Sequence, residues 1–165
     1  MDVIFLPRRG INLFRTLHDS ETSRLILRFY HPVEVPEGVR ITVGSIASGL
    51  SVAGELRWYT RRYMEEILFE TGEGVYCTLA LTRQIYYDRV IDPDGPWEFR
   101  RIYVIRRGSL VSAGPLEQED PGTEIHEPLP GTRNYVARCT EEEYLAPPKG
   151  ITAGGDPDQE KQDEE

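Results

Sequence analysis

Residues 44–70, GSIASGLSVAGELRWYTRRYMEEILFE, carry the pattern that most restricts how this chain can fold. Advancing about 100° per residue, Ile46, Gly49, Leu50, Val52, Ala53, Leu56, Tyr59, Tyr63, Met64 and Ile67 gather within one half of a helical wheel. The segment is therefore predicted to form one long central amphipathic helix. Ser45 or Ser48 can supply its N-cap oxygen, and Gly72 closes it. Its charges fall largely outside the apolar arc, and the small residues Gly49, Ala53 and Gly54 would let another element approach closely.

The flanking segments supply strands. Val3–Leu6 reads as a buried strand ending at Pro7, and Val39–Val43 as a second one entered from a Pro36-Glu37-Gly38 turn. Between them, SETSRLILRFY has a capped start at Asp19 or Ser20 and places Leu25 and Phe29 four apart, which favours helix, although Leu25-Ile26-Leu27 would also fill a strand. A helix here would make strand–helix–strand–helix a right-handed parallel unit. Residues 78–90 fit either helix or strand. Trp97–Arg106 is predicted to be a strand that reverses at Arg107-Gly108 into Ser109-Leu110-Val111. The expected class is α+β: a small mixed sheet, one long helix, a β-hairpin after it and a disordered acidic C-terminal tail.

Charge divides the chain unevenly. Residues 1–112 hold 15 arginines, no lysine and 14 acidic residues, whereas residues 113–165 carry a net charge of −10. The second part also holds seven of the twelve prolines and little apolar periodicity, so it lacks the buried surface to offset chain entropy. This divides the chain into a globular domain over 1–112, a Pro/Gly-rich segment over 113–146 that can dock on it, and a disordered tail over 147–165. No apolar run approaches the roughly 18 residues of a membrane span, and the N-terminus lacks a signal-peptide core. Cys77 and Cys139, the chain's two cysteines, neither make a disulfide scaffold nor complete a metal set with His18, His31 or His126. The expectation is a cytoplasmic protein with reduced thiols, no membrane contact, no metal and no cofactor.

Three surfaces are candidates for function. Trp58 projects about 160° from Leu56, the middle of the apolar arc, and shares that side with Arg61, Arg62, Glu65 and Phe69 on the expected helix. Trp, Arg and aromatic neighbours are the residues that dominate protein interfaces, so these five form a candidate partner-binding or self-association surface. The strand-to-helix corner at Gly44, Ser45, Ser48 and Gly49 has the context for anion binding by backbone N–H groups, though it lacks the lysine of a P-loop. Arg57, Arg100, Arg101, Arg106 and Arg107 form a candidate basic surface for nucleic acid. Nearby acids offer them salt-bridge partners, and Arg100 and Arg101 point to opposite faces of a strand. No residues are assigned to catalysis.

The stretches SETSRLILRFY and SIASGLSVAGELRWYTRRYM together look similar to a small archaeal family of unknown function, in which a Glu-Thr helix start precedes a helix bearing Leu-x-Trp-Tyr. The resemblance covers about a third of the chain and brings no activity or site residues. It implies helix for residues 20–30 and a cytoplasmic prokaryotic setting. The leading expectation is a non-enzymatic binding or regulatory protein acting on a protein partner or as a homodimer. The alternatives are a phosphate- or nucleotide-ligand protein or enzyme using Gly44–Gly49, and nucleic-acid binding by the arginine-rich hairpin.

Overall fold

Two strands buried on both faces organise the molecule. In the computed structural model, which describes residues 1–88, 95–117, 130–147 and 149–150, these are β1 (Asp2–Pro7) and β4 (Met64–Gly72). Between them lie α1 (Leu13–Asp19), α2 (Glu21–Leu27), β2 (Val33–Val35), β3 (Gly38–Thr42), α3 (Ile46–Glu55) and α4 (Arg57–Tyr63). After them come β5 (Val75–Thr78), α5 (Leu79–Asp88), β6 (Arg100–Arg106), β7 (Ser109–Pro115), β8 (Thr132–Arg138), α6 (Glu141–Leu145) and the two-residue β9 (Lys149–Gly150). The fold is mixed α+β, and its strands form one mixed sheet in the order β2-β3-β1-β4-β5-β8-β6-β7-β9. Among the described pairings, β5–β8 is parallel and the others are antiparallel.

Alternation along β1 and β4 builds two cores. Val3, Phe5, Ile67 and Phe69 face the helices, where they meet Leu17, Val52, Leu56 and Tyr59. Ile4, Leu6 and Leu68 face the other way and pack against Tyr103, Ile105, Leu110 and Ala113 of β6 and β7. Because β6 and β7 stand several places away in the strand order, the sheet must curl back over β1 to make that contact. Each fully buried aliphatic or aromatic side chain here contributes about 1.5–3 kcal/mol of hydrophobic stabilisation.

The single helix expected over 44–70 is instead two helices and a strand. Leu56, with φ −89° and ψ 10°, separates α3 from α4, and Met64 at φ −109° and ψ 138° turns the chain into β4. Ile67, Leu68 and Phe69 are all fully buried. Three consecutive buried side chains span about 200° of a helix, more than one packed face covers, whereas a strand covered on both faces buries them without strain. Residues 20–30 do contain a helix, α2, preceded by the separate helix α1. The strand–helix–strand unit is not parallel: β1 pairs with β3 antiparallel, Asp2 opposite Thr42. Residues 78–90 give α5 over Leu79–Asp88. The hairpin reverses at Arg107-Gly108 as its turn chemistry predicts.

Of the segment 113–146, residues 118–129 lie outside the described residues, and the described remainder contributes to β7 and forms β8 and α6. β7 runs across residue 112, and β8 lies between β5 and β6 as an interior strand. Backbone pairing of Ala113 with Lys149 adds β9 at the edge. The rest of the predicted disordered tail, residue 148 and residues 151–165, lies outside the described residues. Among the described residues, no helix is long and apolar enough to cross a membrane.

Candidate functional site

Trp58 sits in the first turn of α4 and is 55% exposed. Its ring makes edge contacts with Tyr59 and Tyr63, at centroid distances of 5.0 and 5.9 Å, and the Arg62 guanidinium stacks over it at 4.7 Å. Trp58 and Arg62 are four apart on one helix, so their side chains meet on the same face. Tyr59 is held in turn by a hydrogen bond between its hydroxyl and Ser20 at the start of α2. The two tryptophans differ in one respect that matters. The indole N–H of Trp97 donates to the Cys139 carbonyl at 2.7 Å, while that of Trp58 has no hydrogen bond among the described residues. Arg57 and Arg61 are exposed on the same short helix. Phe69 does not belong to this surface: it is fully buried in β4 beneath α3, and Glu65 also lies in β4 rather than on the helix.

The Gly44–Gly49 corner is closed by its own side chains. Ser45 caps α3 by accepting from the Ser48 backbone N–H at 3.2 Å, and the two serine hydroxyls hydrogen-bond at 3.0 Å. Gly44 is exposed, but Gly49 is a packing residue, because a Cβ there would stand 2.7 Å from the Phe69 ring. The hairpin arginines do not share a face. Arg101 is 6% exposed and donates to the Glu143 carbonyl at 2.6 Å, while Arg100 has a buried Nε without a partner. Arg106 and Arg107 remain exposed at the hairpin tip.

Three acidic residues that sequence reasoning passed over, Glu66, Glu143 and Glu37, turn toward the interior. Glu66 shares the inner face of β4 with Leu68. Its Oε1 accepts from the backbone N–H groups of Ile67 and Leu79, and its Oε2 from the Tyr103 hydroxyl at 3.4 Å. Desolvation, reinforced by the Glu143 charge, pushes its carboxyl up to about 7. Glu143, from α6, accepts from Thr78 Oγ1 at 3.0 Å, leaves its other oxygen buried and unpaired, and is also raised by desolvation. On a helical wheel Glu66 looks like a surface charge; in a strand its parity turns it inward. The third is Glu37, which the sequence presents only as part of a turn. It is 2% exposed and accepts from Arg133 Nη1 at 2.8 Å and from the Tyr135 hydroxyl at 2.7 Å. No grouping of His, Cys, Asp or Glu among the described residues is arranged to hold a metal ion.

Comparison with protein-family models, with curated proteins and with solved structures finds no match to this chain.

Proposed function

We propose that this chain is a non-enzymatic binding or regulatory protein that engages a protein partner through the exposed face of α4. The observation that carries the reading is Trp58: a large aromatic surface in water, its N–H unspent, yet fixed in place by Arg62, Tyr59 and Tyr63. Exposed tryptophan held rigid loses little side-chain entropy on binding, and truncating such an anchor typically costs 2 kcal/mol or more, roughly thirtyfold in affinity. Charge favours an acidic partner over a second copy. An isologous dimer across this helix would set Arg57, Arg61 and Arg62 against themselves, and like charges across an interface are repulsive. A cytoplasmic setting accords with the reading, since Cys77 and Cys139 are free and buried.

The test compares the wild-type chain, Trp58→Ala and the control Tyr87→Ala, another exposed aromatic, in quantitative recovery of partners from cell extract. A protein retained by the wild type and the control but lost with Trp58→Ala, and then rebound from purified components with about thirtyfold weaker affinity for the variant, supports the proposal. Identical recovery by all three chains, with identical mass in light scattering, overturns it. Retention of an oligonucleotide instead of a protein would assign the same face to nucleic acid.

A further inference from the structure

A second site lies where the tip of the β6–β7 hairpin meets α1, the loop before it and the β2–β3 turn. These elements enclose a cleft of about 820 Å³. That volume is within the range of small-molecule sites, roughly 300–1,000 Å³. Ile11, Phe14 and Ile105 are among its apolar lining residues, and two arginines, Arg107 and Arg133, line it together with the single acidic residue Glu34 among the described lining residues.

Both arginines are placed with some care. Arg107 occupies a left-handed conformation, φ 51°, in a two-residue turn completed by Gly108 at φ 77°. Such a turn is relaxed with Asn or Gly at its first position, and an arginine there carries backbone strain. Its main-chain N–H donates to the Gly131 carbonyl at 3.0 Å, and its Cγ lies 3.9 Å from where a Cβ on Gly131 would stand. The stem therefore crosses the chain two residues before Arg133. The Arg107 side chain has no ion-pair or hydrogen-bond partner among the described residues. Arg133 is oriented from behind, its Nη1 held by the buried Glu37 carboxylate, with the side chain still 60% exposed. A guanidinium has five N–H donors, so most of this one remains available.

We propose that this cleft binds a small organic anion, a carboxylate or phosphate monoester bearing an apolar group, with Arg107 and Arg133 gripping the charged end and the Ile11–Phe14 wall covering the rest. Planar guanidinium forks match both carboxylate and phosphate oxygens, whereas an uncharged apolar molecule would leave the cations without partners. Arginine at a strained turn position is then explained by the ligand rather than by stability.

Phenyl phosphate and hexanoate are the probes, with benzyl alcohol and inorganic phosphate as half-molecule controls, in titrations of the ¹⁵N-labelled full chain. The expected result is saturable shifts at the Gly108 and Gly131 amides for at least one probe at millimolar concentrations or below, and weaker binding by both controls. Arg107→Gly should weaken binding by about tenfold or more while the melting temperature holds or rises, because glycine relaxes the turn. Arg133→Gln is an independent variant that should weaken it as well. No saturable shift with either probe up to about 10 mM, or unchanged affinity in Arg107→Gly, overturns the proposal.

Discussion

Arg133 and Glu37 form an ion pair of 2.8 Å that is buried on one side only: the glutamate side chain is 3% exposed and the arginine 60%. The asymmetry sets the cost of breaking it. Arg133→Met leaves an ionised carboxylate in the interior with Tyr135 as its remaining partner, and an uncompensated buried charge costs about 3 kcal/mol or more. Glu37→Gln keeps an acceptor for Tyr135 and frees an arginine that water can solvate, so it should cost about 1 kcal/mol. Urea denaturation of the two variants checks the order, and equal losses would show that the pair does not behave as a buried charge with an exposed partner.

Glu66 makes stability depend on pH. Its carboxyl is raised from 4.5 to about 7, so between those values the folded chain holds a proton that the unfolded chain has released. The stabilising contribution is complete below about pH 4.5 and is lost as pH rises through 7, a loss of roughly 3 kcal/mol at most. Glu143, shifted in the same direction, adds to the slope. Denaturation midpoints at pH 5 and pH 8 should differ for the wild type and differ less for Glu66→Gln, whose amide oxygen can still accept from Ile67 and Leu79 while its N–H donates to the Tyr103 hydroxyl. A wild-type midpoint that does not fall between the two pH values contradicts the assignment.

The two glycines of α3 should respond in opposite directions to the same substitution. At Gly49 a Cβ would stand 2.7 Å from Phe69 and 3.5 Å from Val3, both fully buried, so Gly49→Ala should cost about 1–3 kcal/mol in spite of better helix propensity. At Gly54 nothing lies within 4 Å, and Gly54→Ala should add about 0.5–1 kcal/mol. Thermal unfolding of the two variants reads this contrast directly.

Truncation tests the role of β8. Without it, β5 and β6 have no common neighbour, and the sheet separates into β2-β3-β1-β4-β5 and β6-β7. The inner core also loses Ala137 and its contact with Tyr135. A chain ending at residue 112 should fail to give a cooperative unfolding transition, whereas one ending at residue 150 should unfold cooperatively. Circular dichroism on both fragments decides the matter.

What was legible in the sequence follows from how local each cause is. The Arg107-Gly108 reversal, the strand around Val3–Leu6, the Pro36-Glu37-Gly38 turn and the α2 start all rest on residues within a few positions of one another. Residues 64–70 misled the wheel because Met64 and Ile67 suit both a helix and a two-faced strand; the consecutive Ile67-Leu68-Phe69 was the clue. β8 was hidden by composition. Its seven residues alternate, with Tyr135 and Ala137 inward, but they sit among prolines and acids that read as tail. Arg133 and Glu37 stand 96 positions apart, a separation across which no local pattern reveals a pairing. Trp58 is visible in the sequence as an anomaly, whereas its pinning by Arg62 depends on the side-chain geometry of the folded helix.

Double-sided burial of β1 bears on the order in which the chain can mature. During synthesis this apolar strand emerges before the elements that cover it: its neighbour β4 follows some sixty residues later, and the β6–β7 surface that covers Ile4 and Leu6 later still. With β8 also required between β5 and β6, no early portion of the nascent chain can sequester Val3–Leu6 by itself. Distant pairings of this kind form slowly and leave hydrophobic edges uncovered meanwhile. β1 is thus where a chaperone would have most reason to bind, and where slowed elongation would carry the greatest risk of aggregation.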